Sequence, residues 1–334
     1  MKPLAGMLLE KLPGSTLPRH RMPQQAFQVA QTLSENIQQV VLGKPEVVRS
    51  LIIALLAGEH VLLEDVPGVG KTLAAKALAK SIDGKFTRLQ FTPDLLPTDI
   101  TGSMIYRSDI REFEFVPGPV FANVLLADEI NRAPPRTQSA LLEAMSEGQV
   151  SVDGTTHSLP EPFIVVATQN PFEFEGTYSL PESQMDRFLI RTSVGYPQRE
   201  MERDVMRTHR LGEPVDGLQP VVSLDQVRAA QAAAREIRFD DLLVEYLLDI
   251  VEETRNNEYF RVGVSTRGAL SFYRGCQARA ITEGRDHVIP DDVKQLAVPA
   301  LAHRVVSEGL FQGIDRTSVE QRMEDLVNHV KVPM

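Results

Sequence analysis

Apolar and polar positions along this chain follow two regimes, and the change between them comes near residue 222. Before it, short continuous apolar runs alternate with stretches of helical spacing. Phe27, Ala30, Leu33, Ile37, Val40 and Val41 recur at helical intervals from Gln24, and a second helix is predicted from about Pro45 to Ala57. His60-Val-Leu-Leu63, Phe86–Phe91, Val124–Ala127 and Phe163–Thr168 read as strands, and Ser179–Arg191 as a short helix running into another strand. Val124–Ala127 has no polar face, as expected of a strand covered on both sides in a parallel sheet. Two hairpins interrupt the pattern, one near 103–118 and one near 148–160. Ser103–Tyr106 pairs with Glu112–Val116, and Gln149–Val152 with Thr156–Leu159 around an Asp153-Gly154 turn. Both would project from the body, either to meet a substrate or partner or to cap a sheet edge. Pro197–Val222, with prolines at 197, 214 and 220, reads as a helix and a linker. Thereafter Ser223–Arg238, Asp240–Asn256, Ser265–Thr282 and Pro290–Val306 are all helical in spacing, three of them opening on Ser or Asp. The division expected is a flexible, mildly basic arm over 1–22, an α/β part over 23–212 and a helical part over 213–334.

The stretch from His60 to Ala79 carries the clearest chemistry, because a buried strand, a glycine-rich turn and a helix follow one another directly. Gly68 and Gly70 let the backbone curl so that several N–H groups point inward, toward the positive end of the helix predicted over Leu73–Lys80. Pro67, Gly68, Val69, Gly70, Lys71, Thr72 and Leu73 thus form a cradle for phosphate, with Lys71 on the β- and γ-phosphates and Thr72 placed to ligate Mg²⁺. Asp65 stands where the general pattern has its first glycine. Strand Val124–Ala127 ends in Asp128-Glu129, which places two carboxylates in the crevice where α/β sheets bind ligands. There Asp128 would hold Mg²⁺ through water and Glu129 would activate the attacking water. Asn170 follows the next strand and would reach the γ-phosphate or that water. Val40-Val41-Leu42-Gly43-Lys44 is either a wall for the adenine ring or plain helix packing. Arg267 opens a helix, where it would swing over phosphate or lie on a solvated face.

Bulk properties narrow the class. At 334 residues, 43% hydrophobic and 24% charged, the chain has the size and composition of a soluble protein of two domains. No apolar run approaches the roughly 18 residues of a membrane span, and the start lacks the apolar core of a secretory signal, so a cytoplasmic location is expected. The single Cys276 cannot form an internal disulfide and is expected to be a buried small side chain. A net charge of −10 argues against broad attraction to nucleic acid.

With strand-loop-helix, Asp128-Glu129, Asn170 and a trailing helical part all in order, the chain resembles the AAA+ ATPases. Gln90–Gly102 (Gln-Phe-Thr-Pro-Asp-Leu-Leu-Pro-Thr-Asp-Ile-Thr-Gly), Asp128–Pro135, Ala167–Pro171 and Leu180–Phe188 narrow the resemblance to the MoxR family, over roughly residues 24–330. The resemblance implies an α/β fold, the αβα P-loop NTPase core with a C-terminal helical lid, working on ATP with Mg²⁺. It implies Gly70, Lys71 and Thr72 as Walker A, Asp128 and Glu129 as Walker B, Asn170 as sensor 1 and Arg267 as sensor 2. Arg187 matches the arginine finger, which in this family reaches the ATP of the neighbouring subunit; Arg191 and Arg132 are the alternatives. A homo-oligomer, a hexameric ring, follows from that finger, and the hairpins match the helix-2 and pre-sensor-1 insertions. Relatives of this kind are chaperone-like and act on client or adaptor proteins, often with a von Willebrand factor A domain and sometimes in metallocofactor insertion. A DNA-acting motor and a non-catalytic ATP switch are the competing expectations. The first is disfavoured because Asp109, Glu112 and Glu114 balance Arg107 and Arg111 on the first hairpin.

Overall fold

The computed structural model describes residues 22–171, 176–208, 210, 212–307 and 316–333. Apart from Met22, the predicted arm lies outside them. Helices α1 (Met22–Gln38) and α2 (Pro45–Ala57) precede strand β1 (Val61–Glu64), which leads through the glycine-rich turn into α3 (Lys71–Ser81). A two-residue β2 (Ile82–Asp83), β3 (Phe86–Gln90) and a short α4 (Pro97–Thr101) follow. The first hairpin is β4 (Gly102–Arg107) with β5 (Glu112–Pro117); then come β6 (Val124–Asp128) and α5 (Pro135–Glu147). The second hairpin is β7 (Gln149–Val152) with β8 (Thr155–Ser158), followed by β9 (Ile164–Gln169), α6 (Glu182–Met185), β10 (Ile190–Thr192) and α7 (Arg199–Thr208).

Five strands pair in parallel in the order β10-β1-β9-β6-β3. Alternate residues of the central strands feed two separate cores. Val61, Leu63, Leu126 and Val166 pack on one face with α1, α2 and α3, while Leu62, Leu125, Ala127 and Val165 pack on the other with α5. Burial on both faces is why these runs are apolar without interruption. β1 is flanked by β9 on one side and β10 on the other, so the chain direction across the sheet reverses there. Crevices at the carboxyl ends of strands beside such a reversal are where open α/β sheets take ligands.

Past α7 the described chain is mostly helical. β11 (Val222–Ser223) pairs with β2, and α8 (Leu224–Arg235), α9 (Asp241–Asn256), α10 (Thr266–Thr282), α11 (Pro290–Leu301) and α12 (Arg316–His329) follow. The caps foreseen at three of them form. Ser223 accepts from the Gln226 N–H, Asp240 from Leu242 and Ser265 from Gly268. Short strands β12 (Phe260–Val262) and β13 (Val306–Ser307) pair within this half. The helix predicted over Pro290–Val306 therefore ends at Leu301. The next residues turn inward, the His303 ring bonding the Phe188 carbonyl at 2.8 Å and Arg304 meeting Asp186 at 3.0 Å, before the chain straightens into β13. This half packs against the back of the sheet layer, α8 on α1 and α10 on α2, and shares one hydrophobic core with them.

Both hairpins form as separate two-stranded ribbons. At the base of the first, a Cβ on Gly102 (φ +91°) would strike the Val116 carbonyl and one on Gly118 the Ile100 carbonyl, so neither position tolerates a side chain. In the second, Asp153 (φ 47°) and Gly154 (φ 79°) make the left-handed two-residue turn. The two ribbons touch: Phe115 and His157 stack at 3.9 Å between ring centroids.

Candidate active site

β1 delivers the chain to the carboxyl edge of the sheet, and after six intervening residues α3 begins. Gly68 (φ +83°) and Gly70 (φ +99°) both hold left-handed backbone, and no atom lies near their missing Cβ positions. Conformation rather than crowding selects glycine there. Asp65, which departs from the general motif, closes the turn with its side chain. One carboxylate oxygen accepts from the Val66 N–H at 2.8 Å and the other from the Gly195 N–H at 2.6 Å, tying the loop to the segment after β10. Lys71 Nζ donates to the carbonyls of Asp65, of Val66 at 3.1 Å and of Gln169 at 3.4 Å. Burial pushes the Lys71 ammonium below the usual lysine range, opposed by the Asp65, Asp128 and Glu129 carboxylates.

Asp128 ends β6 and is 6% exposed. Its Oδ1 accepts from Thr168 Oγ1 at 2.6 Å. Its Oδ2 accepts from Thr72 Oγ1 at 3.4 Å and from Arg88 Nη2 and Nε at 2.8 and 3.1 Å. Glu129 takes left-handed backbone (φ 56°), uncommon for a non-glycine residue, and its N–H donates to the same Thr168 hydroxyl at 2.9 Å. Its Oε2 accepts from Gln90 Nε2 at 2.9 Å and from Arg132 Nη1 at 3.1 Å.

These groups line one cavity of about 680 Å³. Its lining takes in Pro67 to Leu73, Asp128, Glu129 and Asn170, together with Val41, Leu42, Val194, Tyr196 and Met206. A glycine-rich turn at a helix start combined with carboxylates and apolar side chains is the lining a nucleotide requires. Thr72 and Asp128 offer hard oxygen donors to that space, a set that suits Mg²⁺ held jointly with phosphate oxygens. Among the described residues there is no group of three His, Cys, Asp or Glu side chains that could cage a metal without phosphate.

Residues 60–190 match the family described as "ATPase family associated with various cellular activities (AAA)", and residues 252–326 match the AAA lid domain. The uncharacterized protein YeaC of Bacillus subtilis is 48% identical over 90% of this chain and 93% of its own length. Chaperone MoxR1 of Mycobacterium tuberculosis is 43% identical over 81% of this chain and 74% of its own. Protein MoxR of Paracoccus denitrificans is 32% identical over 80% and 85%. The chain belongs to the MoxR family of AAA+ ATPases. A crystal structure from Cytophaga hutchinsonii that carries an ATPase name superposes on this MoxR ATPase with a TM-score of 0.85 at 37% identity, over 94% of this chain and 98% of that one.

The remaining expected residues of this MoxR ATPase lie elsewhere. Arg187 and Arg267 line a separate pocket with Glu59, His60, Ser146 and Arg274. His60 precedes β1 and Asp65 follows it, so about 16 Å of extended strand separates the two pockets. Arg187 donates to the Leu142 carbonyl at 2.8 Å; burial, and then the charge of Arg267, push its guanidinium below the usual range. Asp186, next to Arg187 in the chain, is bound by the fully buried side chain of Arg304 at 3.0 Å and by Ser265, the cap of the Arg267 helix, at 2.8 Å, which ties the two arginine-bearing segments together. The two alternative fingers are engaged within their own chain. Arg191 lies between Glu64 (3.7 Å) and Glu320 (3.4 Å), and Arg132 is on Glu129. None of the cavity lining comes from α8–α12; α7, through Met206, is the helix of the later chain that reaches it.

Sequence reasoning missed Arg88, Gln90, Thr168, Tyr196 and Met206. Arg88 and Gln90 carried a signal, two polar residues two positions apart and so on one face of the strand, the face they share with Phe86. Thr168 ends the strand beside Asp128, and nothing in its own stretch sets it apart from an ordinary β-branched strand residue.

Proposed function

We propose that this MoxR ATPase binds Mg-ATP in the 680 Å³ cavity, hydrolyses it at interfaces between subunits of a hexameric ring, and uses the cycle as a chaperone-like remodeller of client proteins. The adenine lies against Val41 and Leu42. The triphosphate lies on the Gly68–Thr72 backbone, with Lys71 and Asn170 on its terminal oxygens. Thr72 and Asp128 would hold Mg²⁺, which would supply positive charge against the negative charge that builds on those oxygens. Glu129 accepts the proton of the attacking water and orients it for in-line attack. Arg132 and Gln90 share Glu129 Oε2, so Oε1 is left to meet the water.

One observation carries the inter-subunit part. Arg187 and Arg267 lie together near the amino end of β1, while the phosphate loop lies beyond its carboxyl end. An arginine spans only about half of the roughly 16 Å between them, so the pair serves a neighbour's triphosphate. Charge stabilisation of the transition state then waits on assembly. The client side is supported by the first hairpin, which exposes Ile105, Tyr106, Ile110 and Phe113. Its Arg107 is neutralised by Glu114 at 2.9 Å, which suits a protein partner better than a nucleic acid.

Mixing tests the arrangement. Arg187→Ala and Lys71→Ala should each be inactive alone. In random 1:1 rings about a quarter of interfaces would pair an intact loop with an intact finger, so about a quarter of wild-type turnover should return. No recovery in rings shown to be mixed refutes inter-subunit catalysis. Glu129→Gln should retain ATP without turnover, and undiminished hydrolysis by it refutes the assigned base.

A further inference from the structure

Arg88 makes three hydrogen bonds, and each ends on the chemistry described above. Nε and Nη2 donate to Asp128 Oδ2, and Nη2 also donates to Gln90 Oε1 at 3.2 Å. Gln90 in turn donates to Glu129. The side chain is 47% exposed, so core packing does not dictate an arginine here. The parallel register sets Gln90 opposite Asp128, which brings Arg88, two residues earlier on the same face of β3, within reach of that carboxylate.

The choice of oxygen matters. Thr168 engages Asp128 Oδ1, whereas Arg88 and Thr72 both engage Oδ2. Oδ2 is thus the oxygen that, with the Thr72 hydroxyl, would hold a divalent cation or its water. A carboxylate oxygen already accepting two guanidinium N–H bonds and a hydroxyl has no lone pair left for a fourth partner. We propose that Arg88 and Mg²⁺ compete for Asp128 Oδ2, so that Arg88 sets how much magnesium the protein needs before it holds nucleotide in its metal-bound form. The inference rests on the Mg-ATP reading of the cavity. Arg88 is therefore a positioning residue: it holds the Asp128 carboxylate in orientation, and it yields that oxygen when nucleotide arrives with its cation.

The test is a magnesium titration of nucleotide binding, followed by fluorescence of a methylanthraniloyl-ATP probe on full-length protein, with a parallel arm in EDTA. Arg88→Gln removes the competing charge. Its half-saturating Mg²⁺ should fall about two- to fivefold, the range set by a half-exposed ion pair, while its EDTA-arm affinity stays within about twofold of wild type. Arg88→Lys keeps the charge but loses the two-pronged contact, and should lie between the two; it carries the comparison if Arg88→Gln melts early. An unchanged or raised magnesium midpoint in both variants overturns the proposal. So does a tenfold loss of affinity in EDTA, which would make Arg88 a phosphate ligand instead. If wild type binds no probe in either arm, the Mg-ATP reading itself falls and takes this inference with it. Binding with equal magnesium midpoints removes only the inference.

Discussion

Thr168→Val replaces one hydroxyl by a methyl of nearly the same shape, at a residue with no exposed surface. The hydroxyl does two jobs, donating to Asp128 Oδ1 at 2.6 Å and accepting the Glu129 N–H at 2.9 Å. Losing a charge-assisted bond costs about 1.5–3 kcal/mol, and orphaning a buried N–H about 1–3 kcal/mol. Burying one more methyl returns roughly 0.8 kcal/mol. The net loss is about 2–5 kcal/mol, or a drop of roughly 3–7 °C in the melting transition for a chain of this size. Turnover should fall further than stability, because the Asp128 carboxylate and the left-handed Glu129 backbone are both held by that single oxygen. Calorimetry and steady-state ATP hydrolysis on Thr168→Val, with Thr168→Ser as the variant that keeps both bonds, check this. If the Val variant melts within about 1 °C of wild type and hydrolyses ATP normally, or if Ser is as damaging as Val, the bridging role is refuted.

Asp65→Gly, which restores the general motif, should lower stability by about 1–2 kcal/mol and weaken nucleotide affinity, because the Val66 and Gly195 N–H groups lose their acceptor; denaturant melts and a binding titration decide. Gly118→Ala should disturb the base of the first hairpin, since its Cβ would meet the Ile100 carbonyl. A loss of about 2 kcal/mol or more is expected, with faster proteolysis within 102–118. His60 is held neutral, its Nδ1 accepting from the Val165 N–H and its Nε2 donating to the Met145 carbonyl, and burial lowers its pKa. Its folded form binds a proton less readily than the unfolded chain. The stability it confers is therefore complete above about pH 6.5 and is lost as pH falls below that value. His60→Gln should flatten the pH dependence of unfolding below about pH 6.5; an equally steep profile would contradict the assignment.

The parts legible in sequence were those written in consecutive residues. The runs at 61–64, 124–128 and 164–169 became the centre of the sheet because burial on both faces demands unbroken apolar stretches, and Ser223, Asp240 and Ser265 capped the helices they precede. The cradle and the Asp128-Glu129 pair were legible for the same reason. Val41 and Leu42, open to two readings, line the cavity. Relations between distant segments were not legible. That Arg88 lies against Asp128, that Thr168 bridges the Asp128 carboxylate and the Glu129 N–H, and that α8–α12 pack behind the sheet while Tyr196 and Met206 line the cavity depend on strand order and docking, which no local pattern encodes. Arg187 and Arg267 were separately visible as candidates, and only the fold puts them, 80 residues apart in sequence, in one pocket, with the Asp186 carboxylate joining the two segments through Ser265 and Arg304.

That separation of cup and arginines along β1 gives every copy of the chain a head and a tail. Under the proposed inter-subunit arrangement, an open arc would display an unanswered cup at one end and an idle pair of guanidiniums at the other, so a row of n copies would hold n − 1 working centres and a lone copy none. Output per copy would then climb with each addition and gain a final increment on closure of the circle, making dilution alone a brake on ATP consumption.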